Sequence, residues 1–180
     1  MSSISKKNAT KTRKTVRHLQ HSSEIGLSFP FMMTEIFSKY RYAQLSQVMI
    51  EYIPLIKNPD VGHFTLSICN NKIMSEKGKK VISVEFFPHL YQRVWVTGFD
   101  WTMRKDGSPW YFSLSTSIRS IEFGSAVGEI IFSPSFCYTN MYPSSVPLEV
   151  RVDDSDGVMI EDVGDEPMKE FKIEMIEKMG

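Results

Sequence analysis

Short runs in which every second residue is apolar dominate this chain. Val48, Ile50 and Tyr52 alternate with Met49, Glu51 and Ile53; Phe64, Leu66 and Ile68 alternate with Thr65, Ser67 and Cys69. The same two-residue period recurs at Ile82, Val84 and Phe86, and at Phe99, Trp101 and Met103. Trp110, Phe112, Leu114 and Ile118 then share a face opposite Tyr111, Ser113, Ser115 and Arg119. Such alternation buries one face of a β-strand and leaves the other polar. Further strand-like runs occupy 128–132, 136–138 and 146–152. Between them, Asn58-Pro59-Asp60-Val61-Gly62 and Asp106-Gly107-Ser108-Pro109 have turn chemistry, and Ser75–Lys80 reads as a charged loop. About seven to nine short strands at this spacing predict an all-β sandwich or barrel. No long helices alternate with them, which argues against an α/β fold.

Two segments break the period. Thr34 is placed to cap a short helix that opens with Glu35, Ile36 and Phe37 and runs to about Leu45. Near the end, Asp165 and Pro167 suit a helix start, and Met168, Phe171, Met175 and Met179 follow at helical spacing. This predicted C-terminal helix either packs on the sandwich or presents a Met-rich stripe to a partner. The expected organisation is a basic disordered arm (1–23), a β-sandwich (24–152) and an acidic segment with the helix (153–180).

Charge sharpens that division. The chain of 180 residues has a formal net charge of zero. Its first 21 residues nevertheless carry Lys6, Lys7, Lys11, Arg13, Lys14 and Arg17 and no acid, whereas residues 151–180 carry ten acids and four cations. The basic head reads either as a solubilising tail or as an arm for nucleic acid or anionic membrane. Lys77, Lys79 and Lys80 add cations within the charged loop, and Trp95 and Tyr111 are candidates to stack bases. The acidic tail could repel phosphates or mask the head.

Chemistry-bearing motifs are missing. Gly124-Ser125-Ala126-Val127-Gly128 has the wrong order for a nucleophile elbow, and Gly78-Lys79-Lys80 lacks the rest of a phosphate loop. His18, His21, His63 and His89 do not cluster at metal-ligand spacing, and Cys69 and Cys137 have no metal or redox spacing. No apolar run approaches the ~20 residues that span a bilayer. The expectation is a non-enzymatic protein without metal or cofactor, from a reducing compartment.

Four elements in order carry a resemblance: the strand Val48-Met49-Ile50-Glu51-Tyr52; Gly62 opening a strand that ends Asn70-Asn71-Lys72-Ile73-Met74; Ser108-Pro109-Trp110-Tyr111-Phe112-Ser113-Leu114; and Phe123-Gly124-Ser125-Ala126-Val127-Gly128-Glu129-Ile130-Ile131-Phe132. Covering roughly Tyr42 to Ser133, this order resembles the core of the thirty-kilodalton superfamily of plant-virus movement proteins. It is similar especially to those of bipartite geminiviruses, and in its size to the small accessory movement proteins of plant rhabdoviruses. The resemblance implies a jelly-roll-like antiparallel β-sandwich. It also implies cell-to-cell transport of viral RNA, DNA or nucleoprotein through plasmodesmata, with host plasmodesmal or membrane-associated proteins as partners and homo-oligomers in some members. The host cytoplasm, the cell periphery or the nucleus would be its location. The family ends its second strand with an aspartate followed by an arginine; here Asn70 and Lys72 hold those positions. Asparagine suffices if that residue caps the strand end, and fails if its charge is needed. Lysine keeps the charge without the bidentate fork. A viral matrix or capsid-like protein, and a nucleic-acid-binding suppressor of host silencing, are the alternative readings.

Overall fold

The computed structural model describes residues 4–18, 25–28, 39–72, 80–141, 149–152, 159–162 and 172–175. The strands are β1 (Ser5–Asn8), β2 (Thr12–Arg17), β3 (Ile25–Ser28), β4 (Tyr42–Pro54), β5 (Gly62–Asn70), β6 (Lys80–Phe86), β7 (Gln92–Thr97), β8 (Thr102–Met103), β9 (Trp110–Ile118), β10 (Ala126–Thr139), β11 (Glu149–Val152), β12 (Met159–Asp162) and β13 (Lys172–Met175). The first sheet runs β1-β10-β4-β7-β11-β13, with β2 also on β10 and β8 on β4; the second runs β12-β6-β5-β9-β3. All pairs are antiparallel except β11 with β13.

The two sheets bury one face each in a common core. Val48, Ile50, Tyr52, Val94, Val96, Ile130, Phe132, Phe136 and Tyr138 come from the first sheet, and Phe64, Leu66, Ile68, Ile82, Val84, Phe86, Phe112 and Leu114 from the second. Rings join the layers: Tyr52 lies 4.8 Å from Phe64, and Phe112 lies 5.7 Å from Phe132, centroid to centroid. The apolar faces predicted for β4, β5, β6 and β9 are the ones buried in the core, but Ser67, Cys69, Ser83 and Ser113, expected on the opposite polar faces, are buried as well, and Ser67 Oγ lies 3.1 Å from Ser83 Oγ.

Several expectations are corrected. Tyr42–Leu45, expected to end a helix, is the start of β4, because twelve residue pairs with β10 extend one ladder from Pro54 to Tyr42. Positions 34–38 lie outside the described residues. Lys172–Met175, expected within a C-terminal helix, is a strand beside β11; so short an apolar pattern fits both periods, and the open sheet edge decides. Met168, Phe171 and Met179 lie outside the described residues. The described helical turns are two 3-10 turns of three residues each, Pro59–Val61 and Arg104–Asp106. The basic segment expected to be disordered supplies β1 and β2. Only Val16 is fully buried there, so intrinsic propensity is weak. What fixes the segment is the row of backbone donors and acceptors that β10 would otherwise leave unpaired.

Around residue 102 the parity is inverted: Thr102 is buried and donates its hydroxyl to the Ala43 carbonyl, while Met103 is exposed. The runs at 128–132 and 136–138 are one strand of fourteen residues; at Ser135 and Phe136 the register shifts because Ser46 of β4 is the extra residue of a bulge. In its first half Gly128 faces Tyr52 so closely that a Cβ at 128 would overlap the ring. Gly128→Ala is expected to lower stability by about 1–3 kcal/mol, read as the urea midpoint of unfolding. In a Tyr52→Leu background the same change should cost far less. Equal costs in both backgrounds would dismiss the contact.

Candidate nucleic-acid interface

The six cations of the head all lie along one sheet edge. β1 and β2 follow each other along β10, Ser5 opposite Tyr138 and Arg17 opposite Ala126, so residues 5–17 form one interrupted edge strand about 40 Å long. Ala9 bridges the interruption by donating its N–H to the Pro134 carbonyl at 3.0 Å. Ser135 Oγ also donates to Asn8 Oδ1 at 2.8 Å.

The cations differ in what they can do. Lys6, Lys7 and Lys11 are exposed. Arg13 Nη1 sits 2.6 Å from Glu129 Oε2 on the outer face, and Arg17 Nη1 donates to the Gly124 carbonyl at 2.9 Å. The Arg13 side chain is 61% exposed, so its ion pair contributes about 0–1 kcal/mol and a phosphate can compete for it. Lys14 pairs with Ile130 and lines a small gap at the rim of the core with Leu27, Leu66, Phe112, Leu114 and Phe132. Its methylene stem covers apolar surface, so packing is part of its role. Lys77 and Lys79 lie outside the described residues; Lys80 opens β6 opposite Cys69, on the other sheet.

The positions of the resemblance have structural geometry. Gly62 has φ of 97°, and a Cβ there would collide with the Ser117 carbonyl, so only glycine lets β5 start against β9 at this point. At the other end of β5, about 27 Å away, Asn70 is buried and its Oδ1 accepts the Lys72 N–H at 2.9 Å. The Asn71 N–H donates to the Pro109 carbonyl at 2.8 Å, which closes the same corner beside Trp110. Asn70 thus caps the strand end through an Asx turn, a task for a side-chain oxygen rather than for a charge. Lys72 is exposed, and the structure does not bring Gly62 together with Asn70 and Lys72.

Arg93 was missed because β7 was missed, and with it the pairing of Arg151 to Trp95. In Gln92–Thr97, Val94 and Val96 point into the core, which leaves Arg93 and Trp95 on the outer face. The signal was there: the same two-residue alternation, shortened by flanking Gln92 and Thr97. The Arg93 guanidinium lies 4.9 Å over the Trp95 ring, and the exposed Arg151 of β11 pairs with Trp95 in register. A base stacking here meets Arg93 before it meets Trp95; a guanidinium plane is itself a stacking surface. Tyr111 is half-buried on the outer face of the second sheet, away from this group. Together the outer face and one edge of the first sheet offer cations and an aromatic ring, the two elements of sequence-tolerant single-strand binding. Among the described residues no cluster of His, Cys, Asp or Glu could hold a metal ion.

With this geometry in place, comparison with known proteins adds one relative. The chain is similar to Protein 3 of Northern cereal mosaic virus, with 28% identity over 135 residues, 72% of this chain and 76% of the relative. No protein family matches the chain.

The Asx turn generates a test of Asn70. Asn70→Ala is expected to lower stability by about 0.5–1.5 kcal/mol, while Asn70→Asp, which keeps the acceptor, should stay near wild type in thermal unfolding. Equal losses for both variants would show that the amide packs rather than caps.

Proposed function

We propose that this protein is a non-enzymatic viral movement protein that binds viral nucleic acid or nucleoprotein and carries it from cell to cell through plasmodesmata. The observation that carries the reading is the basic edge strand: six cations and no acid between Ser5 and Arg17, held to β10 along its length. Its similarity to a plant-virus protein supports a viral role. No helix of the described residues is long and apolar enough to cross a membrane. The capsid-like alternative loses its main support, because the basic segment is a strand of the sheet from Ser5 onward and is not a free arm.

A fixed row of lysines reads phosphates without reading bases, and its affinity depends on salt through counter-ion release. Replacing Lys6, Lys7 and Lys11 by Ala is expected to weaken binding to a single-stranded RNA 20-mer and to reduce the slope of log K against log salt by about 2. An unchanged slope would remove the edge strand from the interface.

Transport itself is tested by trans-complementation in leaf tissue. A fluorescent virus lacking its movement gene, co-expressed with this protein, is expected to form multicellular foci, and the triple lysine variant to form smaller ones. Single-cell foci with stably expressed protein would refute the transport role for that cargo.

A further inference from the structure

At one end of the first sheet, the start of β4, the β8 turn and the end of β10 enclose an open pocket of about 330 Å³. Of the seven described residues that line it, four are cations, Lys39, Arg41, Arg104 and Lys105; the others are Tyr40, Met103 and Asn140, and none of these is an acid. We propose that this pocket binds the phosphate group of a nucleotide. The proposal deepens the nucleic-acid reading by giving the interface a defined phosphate seat.

The pocket is built from backbone crosslinks. Arg104 donates its N–H to the Arg41 carbonyl and its Nε–H to the Tyr40 carbonyl, both at 2.9 Å. The Arg41 N–H in turn donates to Asn140 Oδ1 at 2.9 Å. Tyr42 pairs with Met103 in register, which ties the two cation-bearing segments at their base. Beyond them, Gly107 closes the 3-10 turn with an N–H to the Arg104 carbonyl at 3.2 Å. The fold therefore holds four like charges near one another whether or not an anion is present. Like charges at such distances repel, and among the described residues no ion pair engages Lys39, Arg41 or Lys105. The nearest acid in sequence, Asp106, does not line the pocket. An anion that entered would relieve the repulsion, and Arg with Lys is the usual pairing for phosphate oxygens.

Size and walls favour a nucleotide over a bare inorganic anion. The volume is at the lower end for small-molecule sites. The Tyr40 ring, with Lys39 Nζ 5.3 Å from its centroid, and the exposed Met103 offer apolar surface to a sugar or base. The position fits as well: the pocket residue Asn140 lies two residues beyond Tyr138, the partner of Ser5, so the basic edge strand ends beside the pocket. A strand laid along Lys11, Lys7 and Lys6 runs toward it over a segment, residues 5–11, that contains no acid.

The test uses the full chain and uridine monophosphate (UMP) followed by NMR. UMP is expected to shift the amide resonances of Tyr40, Arg41 and Asn140, and uridine, which lacks the phosphate, to leave them in place. Arg41→Ala with Lys105→Ala should weaken UMP binding at least tenfold. Lys105→Glu, a single change in an exposed turn, should do so with the fold intact. Equal shifts with uridine, or UMP affinity unchanged in both pocket variants, would overturn the proposal. So would pocket variants that lose binding to phosphatidylserine vesicles while keeping UMP, which would assign the cations to a lipid surface. A chain that binds UMP in the pocket but no RNA 20-mer would keep the phosphate site and refute the wider nucleic-acid reading.

Discussion

One side chain holds the two sheets, the β6–β7 connection and the start of β10 in a single arrangement. Tyr52 stands near the end of β4, its ring 4.8 Å from Phe64 and 6.4 Å from Phe86 across the core. Its hydroxyl lies 2.8 Å from the Pro88 carbonyl and 3.0 Å from the Val127 carbonyl, with one proton for the two acceptors. Burial pushes its phenol well above the ordinary range, so it stays a neutral donor at any physiological pH. The ring also demands glycine at 128, because β10 crosses directly against it. The β4–β10 ladder is the longest among the described residues, with β1 and β2 along the far side of β10 and the cationic pocket at its end.

The basic edge satisfies a constraint of its own. A fourteen-residue strand such as β10 left at a sheet edge would offer its backbone to any other chain. Covering it with a strand that bears lysines and arginines pairs β10 and presents charge at the new edge, where a further strand would have to bury it. Edge protection and phosphate contact therefore ask for the same residues. What separates the two roles is geometry: Lys14 turns its stem to the core rim, Arg13 and Arg17 are tied to Glu129 and Gly124, and Lys6, Lys7 and Lys11 remain exposed.

The sequence showed the sandwich where apolar residues recur at every second position, as Phe64, Leu66 and Ile68 do in β5 and Trp110, Phe112 and Leu114 in β9. It failed where pairing overrode local signal. β7 has only two buried valines, β2 only one, and the start of β4 reads as a helix until β10 is laid beside it. The cationic head was legible from charge alone, but its order was not, since nothing local in Ser5–Asn8 favours a strand. The pocket was illegible for a different reason. Lys39 and Arg41 are more than sixty positions from Arg104 and Lys105, and only the short β4–β8 pairing brings them together.

The same topology bears on whether the acidic tail can mask the basic head. β13, which carries Glu174, is the far strand of the first sheet, five strand spacings from β1. At ~4.8 Å per spacing that is about 24 Å along the sheet, roughly three Debye lengths at physiological ionic strength. β12, with Glu161 and Asp162, borders the second sheet beside β6, at the edge opposite β3. The described acidic strands are thus anchored at edges away from β1 and β2, and their charge is screened before it reaches them. Among the described residues, Glu161, Asp162 and Glu174 are thus set apart from the basic edge by the topology of the sheets rather than placed against it.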